Sequence, residues 1–569
     1  MMKAKKLLAI GMAALLACST AACAGSGNTP ESEATPAQSE AADAEATDEA
    51  NQETPAAATG GVLHVQLATT PGTLDPQTAV DKASFELLST MVEGLYAVDA
   101  AGNPVLSMAK SMTKSEDGLT RVYQLRDAKW ANGEPVHAKD FVFAWQRLVD
   151  PRTASEYAFM ASVASISGAD AIIAGEKEPK DLGVTASEDG KTLTVKLDRP
   201  VPFFESLMTL ACFMPVNKDF FNEAGDDFGS SPEKMLANGA FQWTGGDAGQ
   251  IECERNANYW DAKSVTLQGI QFLVLDDQEA AMQKYEKGEL DVLSLFGDVA
   301  AKEKSSAEFQ NAPSANLWFV TVNQYVDGLG DKNLRLALAL AFDKEAIAKT
   351  ILNGGSTPAT FAIPKGLANG PDGKDFREAA GSDFLKSDKK AALVHYDLAK
   401  KELGKDEFTF TMTADDTGAA TAVAEFIQKE IQDTLPGVTI ELSTMSNESR
   451  TRRMQAHDYE LSLTSWSPDY ADPLTYLEMW TSRSQNNHGH WSNQKYDELI
   501  LAAQKGALVN IPEERWQAMI DAEKIVMDEA PILPVCQKAD AVLVAKDVKG
   551  VAFPMVGVRP VYKNAVKPK

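Results

Sequence analysis

The chain has 569 residues, 44% of them hydrophobic, and its 54 basic against 81 acidic residues leave a formal charge of −27. That length exceeds one compact core, so two or three lobes are expected. The acidic balance argues against nucleic acid as a partner, because phosphate binding needs clustered positive charge.

The first element is an address. Lys3, Lys5 and Lys6 precede an apolar run from Leu7 to Ala17, followed by small residues around Cys18 and Cys23. This is the layout of a secretory signal over residues 1–22; the run is about half the roughly 20 residues needed to span a bilayer. A cysteine placed after small residues resembles a lipoprotein signal, in which the new N-terminal thiol takes a diacylglyceryl group. Cys23 is the expected lipidation site, since it follows two alanines and opens into Ala24-Gly25-Ser26-Gly27; Cys18 is the alternative. From Gly25 to Gly60 there is no aromatic and no basic residue. Such a segment buries too little apolar surface to offset the entropy of ordering, so 23–60 reads as a disordered acidic tether with a root-mean-square reach of roughly 30 to 36 Å.

Val62 to Leu67 reads as the first strand, and Leu74-Asp75-Pro76 breaks the chain before an apolar-periodic helix from Phe85 to Leu95. Thr120 to Arg126 alternates as a strand. Trp130 to Pro135 supplies turn chemistry, and Phe141, Val142, Trp145 and Leu148 then recur at helical spacing. Asn333 to Leu352 reads as one long helix, Phe408 to Thr413 as a strand, Lys429 to Leu435 as a helix end at Pro436-Gly437, and Val438 to Leu442 as a strand. Alternation without a repeat period argues an α/β fold. Beyond the address only Cys212, Cys253 and Cys536 remain, an odd count that reads as buried thiols rather than a disulfide framework.

Catalytic signatures are missing: there is no Gly-x-Ser-x-Gly, His-Glu-x-x-His, Walker loop or Cys-x-x-Cys. His488-Gly489-His490 is the nearest approach to a metal site, and loop histidines at that spacing are not fixed on one face. A binding protein is expected, not an enzyme, with no metal and no cofactor.

An ordered series of short motifs follows the tether. Leu74-Asp75-Pro76, Glu93-Gly94-Leu95-Tyr96, Glu116-Asp117-Gly118, Leu125 to Trp130, Asn132 to Val136, Lys139 to Arg147 and Asp150 to Tyr157 stand in one stretch. Asn238-Gly239-Ala240-Phe241, Asn258-Tyr259-Trp260, Tyr285 with Gly288 to Asp291, and Arg335 to Asp343 continue it. In order and spacing the series resembles the extracytoplasmic solute-binding proteins of peptide ABC transporters, the oligopeptide-binding type. The resemblance implies a periplasmic-binding-protein-like α/β fold with two lobes, three subdomains and a hinge. The expected organisation is lobe I from 61–104, 237–323 and 535–569, a subdomain inserted at 105–236, and lobe II at 324–534. Most motif residues read as architecture. Arg126 and Asp127, for instance, have each other or nearby backbone as partners.

The segment Ser465-Trp466-Ser467-Pro468-Asp469-Tyr470-Ala471-Asp472-Pro473 holds two aspartates that local chemistry separates. Asp472 precedes Pro473 and the apolar Leu474 and Leu477, an N-cap before proline at the first helical position. Asp469 has no helix of its own to cap and is open to an Asx-turn or to a ligand. In the family, the resemblance implies, the aspartate of this Trp-x-x-Asp-Tyr pattern pairs with the α-ammonium of a bound peptide. Tyr157 matches a tyrosine at the peptide's N-terminal end, and Trp466, with Ser465 and Ser467 beside it, contacts the peptide backbone. Departures from the family pattern are Leu463 for an arginine, Val80 for a glutamate, Asn447 for a tryptophan, and Cys536-Gln537-Lys538 for an aromatic run. The implied partners are a peptide, a permease with cytoplasmic ATPases, and the membrane through the anchor, the protein itself being a monomer. Rival readings are a binder of nickel, haem, a sugar or a signalling peptide on the same fold, and an anchored extracellular hydrolase.

Overall fold

A computed structural model of the protein describes residues 59–569 apart from Ala248; Cys18, Cys23 and nearly all of the tether lie outside the described residues. The frame is a sheet shared between two lobes. In lobe I its order runs from Phe241–Asp247 through Gln250–Arg255, Gly269–Val274 and Val62–Leu67 to Val292–Leu295. In lobe II it runs from Val438–Met445 through Phe408–Asp415 to Leu461–Trp466. Two long antiparallel strands, Phe309–Val322 and Ile532–Val544, lie between these sets and belong to both. Val62–Leu67 alternates between buried and partly exposed positions as its sequence dictates, and pairs in parallel with Gly269–Val274.

The crossing strands are not regular. Pro313 faces Ala539 and the next pairing is Leu317 with Gln537, so Ser314, Ala315 and Asn316 bulge out opposite Lys538. Gln537 is buried and stitches the bulge. Its side-chain amide donates to the carbonyls of Ser314 (3.0 Å) and Lys365 (2.8 Å), and its oxygen accepts from the Lys365 N–H (2.9 Å).

The third subdomain is a separate antiparallel sheet, ordered Ala109–Lys114, Thr120–Leu125, Thr192–Lys196, Val184–Ala186. It is covered by the helix Ala138–Val149, which buries Phe141, Trp145 and Leu148. Its core is continuous with that of lobe II. At their junction Phe203 stacks on Tyr470 with centroids 4.2 Å apart, and the Ala471 N–H donates to Ser206 Oγ at 2.9 Å.

The motif residues join distant segments. Asn238 forms a two-point clamp on Glu93, accepting from its N–H (2.9 Å) and donating to its carbonyl (3.0 Å). The Glu93 carboxylate in turn accepts from Tyr259 (2.5 Å) and Trp260 (2.9 Å). Gly239 permits this packing, because a Cβ there would lie 2.8 Å from the Met91 backbone. Arg147 grips Asp75 with two nitrogens, at 2.7 and 3.2 Å. Arg126 and Asp127 do not pair with each other: Arg126 donates to the Ser107 carbonyl and covers Trp260, while Asp127 meets Lys191.

Two elements differ from their sequence expectation. The first helix spans Lys82–Met91, not Phe85 to Leu95, because Asp81 caps it by accepting from the Ser84 N–H (2.8 Å), while the clamp on Glu93 draws the following residues into extended chain. The long helix expected over Asn333 to Leu352 is broken. Lys332–Ala341 ends at Phe342 in extended conformation, and Asp343 starts a new helix by accepting from the Ala346 N–H (3.0 Å), which continues into a wide-turned segment, Ile347–Leu352.

Candidate functional site

The strand Leu461–Trp466 delivers the segment that carries both aspartates, and everything around Asp469 is tied down. Tyr476 donates to the carbonyls of Ala315 (2.5 Å) and Trp466 (2.8 Å), which fixes the strand's end to the bulged crossing strand. Asp472 accepts from the Leu474 N–H (3.0 Å) at the entry to a one-turn helix, Leu474–Leu477, whose N-cap is Pro473 and not Asp472 as expected, since the helix starts one residue later. Both its oxygens also meet Arg515, at 2.8 and 2.9 Å, in a buried fork. Tyr470 is buried against Phe203 and donates to Glu478 at 2.9 Å.

Asp469 sits between these fixed points. Its N–H donates to Thr475 Oγ1 at 3.2 Å, but its carboxylate has no hydrogen bond or ion pair among the described residues. Burial alone pushes its pKa up to about 6. A half-buried carboxylate with no cation costs free energy that an incoming ammonium recovers.

The carboxylate lines a cavity of about 470 Å³ built from both lobes. Lys82 and Phe85 come from the first helix, Tyr157 and Cys212 from the inserted subdomain, Ser314, Asn316, Trp318, Lys538 and Asp540 from the crossing strands, and Met555 to Arg559 from the C-terminal segment. The bulge is what turns Ser314 and Asn316 toward it. Tyr157 packs edge-on to Phe85 with centroids 5.6 Å apart, and burial together with the charge of Asp469 pushes its phenol up to about 12. Asn316 donates to Ser467 Oγ at 2.7 Å.

Of the five residues expected at the ligand, Asp469, Tyr157 and Ser467 therefore share one cavity. Ser465 and Trp466 line a second, of about 330 Å³, with Asn447, Arg450, Trp480, His488 and Trp491. The two spaces are successive along the paired strands, Ser465 lying opposite Trp318. Arg450 there is engaged, Nε to Asp415 at 2.6 Å and a terminal nitrogen to Thr464 at 2.9 Å. Leu463 is buried in the sheet opposite Val320, whereas Val80 is exposed.

Trp318 and Arg559 also line the cavity, as does Lys538, which the sequence marks only as part of the departure Cys536-Gln537-Lys538 from an aromatic run. For Lys538 a signal existed, since Lys538 and Asp540 are charged at a spacing of two in an otherwise uncharged strand and so project to one face. The three cysteines are free and buried, with burial raising each thiol. His490 stacks on Tyr325 at 3.9 Å and lies 4.0 Å from His457, and among the described residues no three His, Cys, Asp or Glu side chains are grouped to hold a metal. No helix among the described residues is long and apolar enough to cross a membrane.

Comparison with known proteins gives the same picture. The model of the bacterial extracellular solute-binding proteins, family 5, matches residues 103–488. A dipeptide-binding protein of Lactococcus lactis subsp. cremoris is 30% identical over 521 residues, covering 88% of this chain and 94% of its own. The crystal structure of the substrate-binding domain of an oligopeptide ABC transporter from Bacillus anthracis superposes with a TM-score of 0.73 at 37% identity, covering 91% of this chain and 100% of that one. Listeria monocytogenes OppA bound to peptide superposes with a TM-score of 0.72 at 31% identity, covering 89% and 99%. With the family model spanning most of the described residues and the lobes, crossing strands and motif clamps in place, the chain belongs to the family 5 bacterial extracellular solute-binding proteins of ABC transporters.

Proposed function

We propose that the protein captures short peptides outside the cell in the cavity between its lobes and delivers them to an ABC transporter permease. The observation that carries this reading is the Asp469 carboxylate, held beside the Tyr470 and Asp472 anchors yet left without a partner among the described residues in a space between the lobes. A ligand with a free amine supplies that partner; haem or a neutral sugar does not, and a nickel ion needs several donor side chains where, among the described residues, no three His, Cys, Asp or Glu are grouped. Tyr157 stands beside it, with a hydroxyl that also lacks a partner among the described residues. Recognition of the terminal amine and backbone, which all peptides share, suits broad uptake. The lipid on Cys23, or on Cys18, holds the protein at the outer face of the membrane, and the acidic tether lets it visit the permease.

The test is calorimetry with matched peptides, free and N-acetylated. Acetylation is expected to weaken binding roughly 30-fold or more, since it strands a buried charge, and an acetylated peptide bound as tightly as the free one rules the amine clamp out. Native mass spectrometry of freshly purified protein names the ligand class, and cleavage of added peptides would favour a hydrolase instead. Cys23→Ser is expected to release the protein into the medium; release by Cys18→Ser alone would move the anchor.

A further inference from the structure

We infer that Lys538 is a second anchor of opposite sign, receiving the C-terminal carboxylate of a short peptide whose amine is on Asp469, so that the cavity selects by length. This rests on the reading of Asp469 given above.

Three cations line the cavity: Lys82, Lys538 and Arg559. Arg559 is already committed, donating to the carbonyls of Ala312 (2.7 Å), Pro313 (2.6 Å) and Pro554 (3.1 Å) and pairing with Asp540 at 3.1 Å. Lys82 is exposed at the rim. Lys538 is half-buried, and its ammonium has no hydrogen bond or ion pair among the described residues. It lies 5.0 Å from the ring centroid of Trp318, a wall of the same cavity. Asp540, on the same face of its strand, turns to Arg559 and leaves Lys538 uncompensated. The cation of the adjoining cavity, Arg450, is held by Asp415.

One cavity thus contains an unpaired carboxylate, Asp469, and, among its unpaired ammonium groups, one that is half-buried, Lys538, while Lys82 is exposed. That is the complement of a zwitterion, and each charge gains only when the matching terminus arrives. The register sets the scale. Trp466, Leu317 and Gln537 stand in a row across three strands, which puts Trp466 and Gln537 about two strand spacings, roughly 10 Å, apart; Asp469 follows three residues after the first and Lys538 adjoins the second. At roughly 3.3 Å per residue, and with the reach of a lysine side chain, extended peptides of two to four residues bring both termini to their anchors. Longer ones must leave one anchor unused.

The experiment uses the purified full protein and one peptide series from two to six residues, each as free acid, C-terminal amide and N-acetyl form, titrated by calorimetry. Amidation is expected to weaken the short peptides at least tenfold and to leave the hexapeptide unchanged. Lys538→Met should erase the difference between acid and amide for the short peptides, and Lys538→Arg should retain part of it, which also answers a Met variant that fails to fold. Equal binding of acid and amide, with acetylation still harmful, overturns the Lys538 anchor and leaves the Asp469 clamp standing. Tolerance of acetylation brings down the clamp itself. Loss of the acid–amide difference in Lys82→Met but not in Lys538→Met reassigns the anchor and likewise overturns the proposal.

Discussion

Asp472 and Asp469 stand three residues apart on one loop, and they belong to different regions of the molecule. Asp472 faces the interior of lobe II, where charges are buried in pairs: it is forked onto Arg515, and deeper in the same lobe Arg377 meets Glu523, which also accepts the N–H groups of Ala362 and Ile363. Asp469 faces the cleft, where its carboxylate and the ammonium of Lys538 have no such partners. These two interior carboxylates are each met by an arginine, and a lone one would cost several kcal/mol. A cleft that leaves two charges unsatisfied is therefore a region whose missing partner comes from outside the chain.

The sharpest way to break that contrast is to remove one member of an interior pair. Arg515→Met should lower stability by roughly 3–5 kcal/mol in urea titrations, and the double variant Asp472→Leu with Arg515→Met should recover most of the loss. If the single variant costs less than about 1 kcal/mol, a value typical of an exposed pair, Asp472 is not the structural half of the comparison.

The cleft should respond with the opposite sign. Burial raises Asp469 from 3.8 to about 6, so between those values the folded protein holds more protons than the unfolded chain, and stability from this group is lost as pH rises through the window. Asp469→Asn removes that loss and should stabilise the ligand-free protein at pH 7 by up to about 3 kcal/mol while weakening peptide binding. A thermal melt of the two proteins at pH 7 and pH 4 checks it, since the gain should vanish at the lower pH.

Binding should follow the same proton. With a pKa of about 6 in the empty cleft, the carboxylate is mostly ionised at pH 7 and mostly protonated at pH 5. Affinity for a short peptide should fall about tenfold between them, with proton release on binding measurable in two buffers of different ionisation heat. Asp469→Asn should flatten this dependence. A smaller effect is expected where the inserted subdomain meets lobe II. Phe203→Ala removes the stack on Tyr470 without touching the cavity and should weaken binding up to about tenfold, the scale of one aromatic pair.

What the sequence made legible was local. Pro473 after Asp472 was enough to separate an aspartate tied at a helix entry from Asp469, though the N-cap itself is Pro473, and Val62–Leu67 and Ala138–Val149 carried their periodicity openly. The break at Phe342 was hidden because apolar spacing continues across it. There Lys344, which reads as a surface residue, turns inward, its ammonium donating to the Ala339 carbonyl at 2.5 Å over the Phe342 ring, 4.3 Å away. The cavity was hidden for another reason: Tyr157, Trp318, Asp469 and Lys538 converge only through sheet register and a bulge, and neither is written in local spacing. Trp466 and Ser465 adjoin Ser467 in the chain yet line the neighbouring space, because the strand ends at Trp466 and Ser467 belongs to the loop that follows.

Gln537 gives the cleft a clock. Its side chain spans the bulged Ser314 and the Lys365 backbone at the level where the strands pass from one lobe to the other, outside the set of groups lining the cavity. Stiffness of the crossing can therefore change while every ligand contact stays the same. Gln537→Ala is expected to shorten peptide residence time more than it slows association, as stopped-flow displacement would show. On the proposed reading a carrier must both hold its cargo and let it go, and that result would assign the two tasks to different residues.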